Sequence, residues 1–158
     1  MSEFTVAVHY AADNRAGGSP SRAHTWTFSG QQTLRASAAA EYGGDPEHTN
    51  PEEALVAAVS GCHMLTFLVI AAKRGFAVEQ YDDAAGGVLG KNAHGRMAVT
   101  HITLRPRIRF GGDKQPDAAA LDQLHEAAHR NCFVANSLAC EVTVAGFSGS
   151  RKVFIAPA

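Results

Sequence analysis

The chain has 158 residues, 46% of them hydrophobic and 18% charged, with a formal net charge of −1. That composition excludes a disordered chain and suits one domain, spanning residues 1–158, with a substantial core. The charge speaks against a nucleic-acid partner, because phosphate binding needs a basic face. Arg105, Arg107 and Arg109 come nearest to one, and they alternate like the wet side of a strand.

The opening "MSEFTVAVHY" has no basic segment followed by an apolar run, so no signal peptide is expected. Within it "EFTVAVHY" sets Phe4, Val6, Val8 and Tyr10 against Thr5, Ala7 and His9, the pattern of a half-buried strand. "AADNRAGGSPS" reads as an exposed loop. "RAHTWTFSG" and "QTLRASAA" follow as two strands turning near Gly30, and "EYGGDPEHTN" is a second irregular connector.

A long helix is predicted over "NPEEALVAAVSGCHMLTFLVIAAKRG". Asn50 suits the N-cap and Pro51 the first helical position, while Glu52 and Glu53 face the positive dipole end. Lys73 and Arg74 complement the other end, and Gly75 can stop the helix in a left-handed cap. Apolar residues lie nearly all round it, so burial on most sides is expected, with a subunit interface supplying what one chain cannot. Residues 54–72 also have the length of a membrane span. Their alanine content, together with Ser60, Gly61, Cys62, His63 and Thr66, fits a central core helix better.

"FAVEQYDDAAGGVLG" and "RMAVTHITLRPRIRF" read as strands. In the second, Met97 and Val99 share one parity and Ile102, Leu104, Ile108 and Phe110 the other, which a bulge near His101 would reconcile. "PDAAALDQLHEAAHRN" is an amphipathic helix with Leu121, Leu124 and Ala128 on one stripe and His125 and His129 on its polar face. "FVANSLA" suggests a second short helix, and "CEVTVAGF" and "KVFIA" are closing strands. The order of elements defines an α+β domain with a largely antiparallel sheet.

Cys62, Cys132 and Cys140 are an odd number without a CxxC pair, so reduced thiols in a cytoplasm are expected rather than a secreted disulfide framework. Buried free cysteines are usually inert. Cys62 lies about three turns into its helix, where the dipole lowers a thiol pKa little, so a reactive Cys62 needs an imported cation. Cys132 sits at the break after the second helix, and Cys140 heads a strand as a packing residue. His129 and Cys132, at i, i+3, are the one loose metal-type pair, to which Cys62 or His63 could add a third ligand. Glu52 and Glu53 are accounted for by the dipole, and Glu53 also by a reciprocal cap with Asn50. No GxSxG elbow, phosphate-cradling glycine loop or HExxH occurs.

Together "NPEEALVAAVSGCHM" and "AHRNCFVANSLACEVTV" resemble the osmotically inducible protein C / organic hydroperoxide resistance (OsmC/Ohr) family. "SRAHTWTFSG" and "AAKRGF…GDK" look like an OsmC-like branch of it. The resemblance implies an intertwined homodimer with the long helices central and two active sites at the interface. It further implies a thiol-dependent peroxidase without cofactor or bound metal. By position Cys62 becomes the peroxidatic thiol and Cys132 the resolving one, with a Cys62–Cys132 disulfide as intermediate and a dithiol reductant, such as a lipoylated protein, restoring both. Glu52 matches the glutamate that orients an activating arginine.

The arginine itself has three candidates, Arg15, Arg22 and Arg35. Arg22, in "SRAH", is preferred over Arg15 in the glycine-rich loop. Ten helical residues span about 15 Å, so Glu52 does not reach Cys62 directly. An arginine bridges them, or the helix begins later, or the relation crosses the dimer. His63 follows the thiol where several relatives carry a larger apolar residue, which would place a polar group beside it. The leading expectation is a cytoplasmic peroxidase of organic or fatty-acid hydroperoxides, partnered by neither nucleic acid nor membrane. The rivals are a non-catalytic OsmC-like protein binding a small apolar ligand at the dimer interface and a zinc protein using His129 and Cys132.

Overall fold

The computed structural model describes residues 1–12 and 20–146, which form two compact units, Met1–Ala54 and Leu55–Ala158. The closing strand expected in "KVFIA" lies outside the described residues.

In the first unit β1 (Val6–His9), β2 (His24–Phe28) and β3 (Thr33–Ala36) form an antiparallel sheet in that order. Val8 is opposite Trp26, and Trp26 opposite Leu34, so the predicted alternation sets the register. The expectation that β1 is half-buried is corrected, because all four of its residues are exposed. Val6, Val8, Phe28 and Leu34 make an apolar row that nothing in the described chain covers. Gly44 is required by close packing, since a Cβ there would lie 1.7 Å from the carbonyl oxygen of Ala38.

The helix α1 runs Pro51–Lys73. Its start is a reciprocal cap: Glu53 N–H donates to Asn50 Oδ1 at 2.8 Å and Asn50 N–H to Glu53 Oε2 at 3.1 Å. At the other end Gly75 adopts φ 77°, and the Lys114 ammonium donates to the Arg74 carbonyl at 2.5 Å. Only Val59, His63, Phe67 and Ala71 on α1 are buried, a stripe of strict i, i+4 spacing. One chain covers a single face of α1: Leu65 and Val69 are 61% and 54% exposed, on the side where the sequence leads one to expect a subunit interface. By length and composition α1 is also apolar enough to cross a membrane.

The second unit contains two small sheets. β4 (Ala77–Asp83) pairs antiparallel with β7 (Pro106–Gly111), while β6 (Met97–Leu104) lies between β5 (Gly86–Lys91) and β8 (Glu141–Val144). β6 runs antiparallel to β5 and parallel to β8. Each of the two long predicted strands is thus two strands in different sheets. The breaks fall after Asp83 and at Arg105, just before Pro106, whose ring disfavours continued pairing. The bulge expected near His101 is present one residue earlier: Val88 faces His101 and Leu89 faces Val99, leaving Thr100 as the extra residue.

The second helix, α2 (Ala118–Arg130), is capped by Asp117, whose carboxylate accepts from the Ala120 N–H at 2.7 Å. A single turn at Ala135–Ser137 follows where a second short helix was expected. The core centres on Phe67, Ala71, Phe76, Leu124 and Ala128, with a second cluster of Val59, Ile102, Leu104 and Val142. Phe67 is wholly buried, its ring centroid 4.5 Å from that of His125 and 5.7 Å from that of Tyr81. Phe67→Ala should cost about 3–5 kcal/mol of unfolding free energy, read from the shift in urea midpoint at constant slope.

Candidate functional site

The fold brings the two expected cysteines together. Cys62 is half-buried on α1 and Cys132 is fully buried two residues beyond α2. Cys132 is a rigid extension of its helix: its N–H donates to the His129 carbonyl at 3.2 Å, and the Asn131 amide donates to Ala127 O at 2.8 Å. The Cys132 thiol is pushed up to about 12, first by burial and then by the neighbouring Cys62. The Ala135 N–H, donating to Cys132 Sγ at 3.4 Å, acts the other way. Cys132 is thus the sulfur held protonated, with Cys62 as its neighbour. All three cysteines are free thiols.

Beside this pair lies a buried imidazole cluster. His63 Nε2 and His125 Nδ1 share a hydrogen bond at 3.0 Å, with the rings stacked at 5.3 Å and 12°. Both residues are under 5% exposed. Burial holds His63 down to about 4 and His125 to about 3; the neighbouring His129 adds to the effect on His63, and Asp83 opposes it. The expectation that His125 and His129 form the polar face of α2 is corrected, since both are buried. The apolar stripe of α2 is wider than its leucines suggest and takes in these two imidazoles. His63 points onto the packed stripe of α1 with Val59 and Phe67, and its ring meets His125.

Nothing in the composition marks His63 and His125 as partners. The readable signal is the i, i+4 run Val59, His63, Phe67, Ala71, which puts His63 in line with three apolar residues. Asp83 was likewise missed. It accepts from Ser60 Oγ and from the Arg105 N–H, both at 2.6 Å, and so ties α1 to the corner between β6 and β7.

Arg22, Arg35 and Glu52 belong to the first unit and the two cysteines to the second, while Arg15 lies outside the described residues. Arg22 is exposed, its Nε 3.6 Å from where a Cβ on Gly43 would sit. Arg35 is exposed on β3, and its charge helps hold the Asp45 carboxyl below the usual range, behind the larger effect of the Glu47 N–H. Glu52 is half-buried in the first turn of α1 and forms no ion pair among the described residues. Because α1 begins at Pro51, helical rise alone separates Glu52 from Cys62 by about 15 Å. Among the described residues no three metal-ligating side chains converge. Cys140 lines a separate open cleft of about 430 Å³ with Leu55, Val99, Leu138 and Lys91.

The OsmC-like protein family matches residues 44–145, and the chain belongs to that family. An OsmC-like protein of unknown function from Vibrio cholerae is 43% identical, with 91% of this chain and 98% of that one aligned at a TM-score of 0.87. An organic hydroperoxide resistance protein, OsmC, from Legionella pneumophila shares the fold at 16% identity and a TM-score of 0.68, over 91% of this chain and 94% of its own. One from Elizabethkingia anophelis does so at 16% identity and 0.65, over 90% and 94%. No curated protein matches the chain in sequence.

Proposed function

We propose that the chain is a thiol-dependent peroxidase acting on organic or fatty-acid hydroperoxides. The observation that carries this reading is that Cys62 on α1 and Cys132, just beyond α2, are free thiols close enough to act on one another's protonation. The Cys62 thiolate attacks the terminal peroxide oxygen, the O–O bond breaks, and the alkoxide leaves as alcohol after taking a proton. Cys62 is then a sulfenic acid. The Cys132 thiol displaces its hydroxyl as water, forming the Cys62–Cys132 disulfide. A dithiol such as a lipoylated protein reduces that bond and is itself oxidised to a disulfide.

Exposed apolar side chains adjoin both sulfurs: Leu65 lies at i+3 from Cys62 on α1, and Phe133 follows Cys132. Such surroundings favour a peroxide with a hydrocarbon group over hydrogen peroxide. The cation that the thiolate needs is Arg22, oriented by Glu52. In this reading a homodimer covers the apolar row of β1–β3 and the exposed side of α1, and the relation of Arg22 and Glu52 to Cys62 runs across it. A reducing cytoplasm keeps the resting thiols free.

One equivalent of cumene hydroperoxide should consume two of the three thiols and leave a Cys62–Cys132 cross-link on peptide mapping. Unchanged thiol counts would sink the peroxidase reading. A second reading, ligand binding without turnover, draws on the cleft at Leu55, Val99 and Leu138. It predicts no thiol loss and saturable uptake of a small apolar molecule.

A further inference from the structure

The imidazole pair lies between the two helices that carry the sulfurs. His63 is the residue after Cys62, and His125 lies on α2, whose C-terminal end continues rigidly into Cys132. Around them α1 meets α2 through Phe67, Ala71, Leu124 and Ala128. Contacts of that kind are non-directional, and an apolar interface gives up little free energy when one helix slides or turns slightly on the other. A buried hydrogen bond differs, because distance and angle both constrain it and a broken one leaves two desolvated polar atoms behind. Two stacked imidazoles at 3.0 Å therefore select one helix register among several that the apolar side chains alone would accept. Burying them in an aromatic and aliphatic cluster is costly unless that selection is useful.

The sulfurs need such a selection. A slip of one helical turn displaces a residue by about 5.4 Å, far more than a sulfur–sulfur hydrogen bond tolerates. We propose that His63 and His125 are positioning residues, whose mutual hydrogen bond fixes α2 against α1 and so holds the Cys132 thiol on Cys62. The inference rests on the dithiol reading of this pair. It asks nothing of the oxidant: it concerns how readily the two thiols close, whatever oxidises them.

The test is the equilibrium of the full chain with reduced and oxidised glutathione, read as the effective concentration of the Cys62–Cys132 pair. In a His63→Leu/His125→Leu double variant both members of the pair are replaced together and the helices remain packed. That protein should keep its helical circular dichroism and thermal midpoint, yet close the disulfide at least about ten-fold less favourably. The single variant His125→Asn, which keeps a polar atom near the place of Nδ1, should close like the parent, and His125→Leu should not. Equal effective concentrations in the folded double variant and the parent would overturn the proposal. Should the double variant fail to fold, equal closure in His125→Asn and His125→Leu overturns it equally well. A parent chain that closes the disulfide with glutathione but consumes no hydroperoxide would end the peroxidase reading and leave the positioning role standing. A parent that does not close it at all ends both.

Discussion

Cys62→Ser should lower hydroperoxide turnover by about three orders of magnitude or more, whereas Cys132→Ser should preserve the first oxidation and stop the cycle after it. The asymmetry follows from the surroundings of the two sulfurs. Cys132 is wholly buried and its thiol is pushed up to about 12, so it carries almost no thiolate at neutral pH. Cys62 is half-buried rather than wholly buried, which leaves it the sulfur that a peroxide can reach. In Cys132→Ser a dimedone adduct on Cys62 should accumulate to nearly one per chain after one equivalent of hydroperoxide, detectable by intact mass. An adduct on Cys132 in the Cys62→Ser protein would reverse the two roles.

Acid should weaken the fold before most carboxylates titrate, and the imidazole pair is the reason. Burial lowers His63 from its ordinary 6.5 to about 4 in the folded chain. Below pH 6.5 the unfolded chain therefore takes up a proton that the folded chain refuses, so stability falls as pH falls. The loss grows until about pH 4, below which both states are protonated and it levels off. His63 alone accounts for about 3 kcal/mol across that window. His125, held at about 3, shares its hydrogen bond with His63, so the two contributions do not simply add. Of the charged neighbours, His129 deepens the effect on His63 and Asp83 offsets part of it. The urea midpoint measured at pH 7 and pH 4 should drop steeply for the parent and much less for the His63→Leu/His125→Leu variant. Parallel profiles would show that other groups carry the acid sensitivity.

Local signals gave the elements and non-local pairing did not. The α1 boundaries were legible because Asn50, Pro51, Glu53, Lys73 and Gly75 each act within one turn. The bulge beside His101 was legible because side-chain parity along a strand is a local property. The splitting of two long strands between sheets was not, since it depends on what Asp83 and Arg105 find across space. Similarly, the two cysteines lie 70 residues apart, and only the docking of α2 on α1 makes them neighbours. The histidines of α2 misled for the same reason: polarity alone assigns them to solvent, and the partner imidazole that makes burial tolerable comes from another helix. Exposure was also misjudged for β1, since hydrophobicity signals burial without saying by which chain.

Asp83 has a consequence of its own for how the second unit comes apart. Its two carboxylate oxygens serve different elements, one bonded to Ser60 on α1 and the other to the backbone of Arg105 at the β6–β7 corner, while the Arg105 guanidinium reaches the neighbouring Ala84 carbonyl at 3.1 Å. Opening either sheet at this corner disturbs the carboxylate that also holds the helix, so fraying there costs more than one element's hydrogen bonds. The two small sheets and α1 are thereby coupled at one carboxylate, so that opening at this corner breaks hydrogen bonds of sheet and helix together.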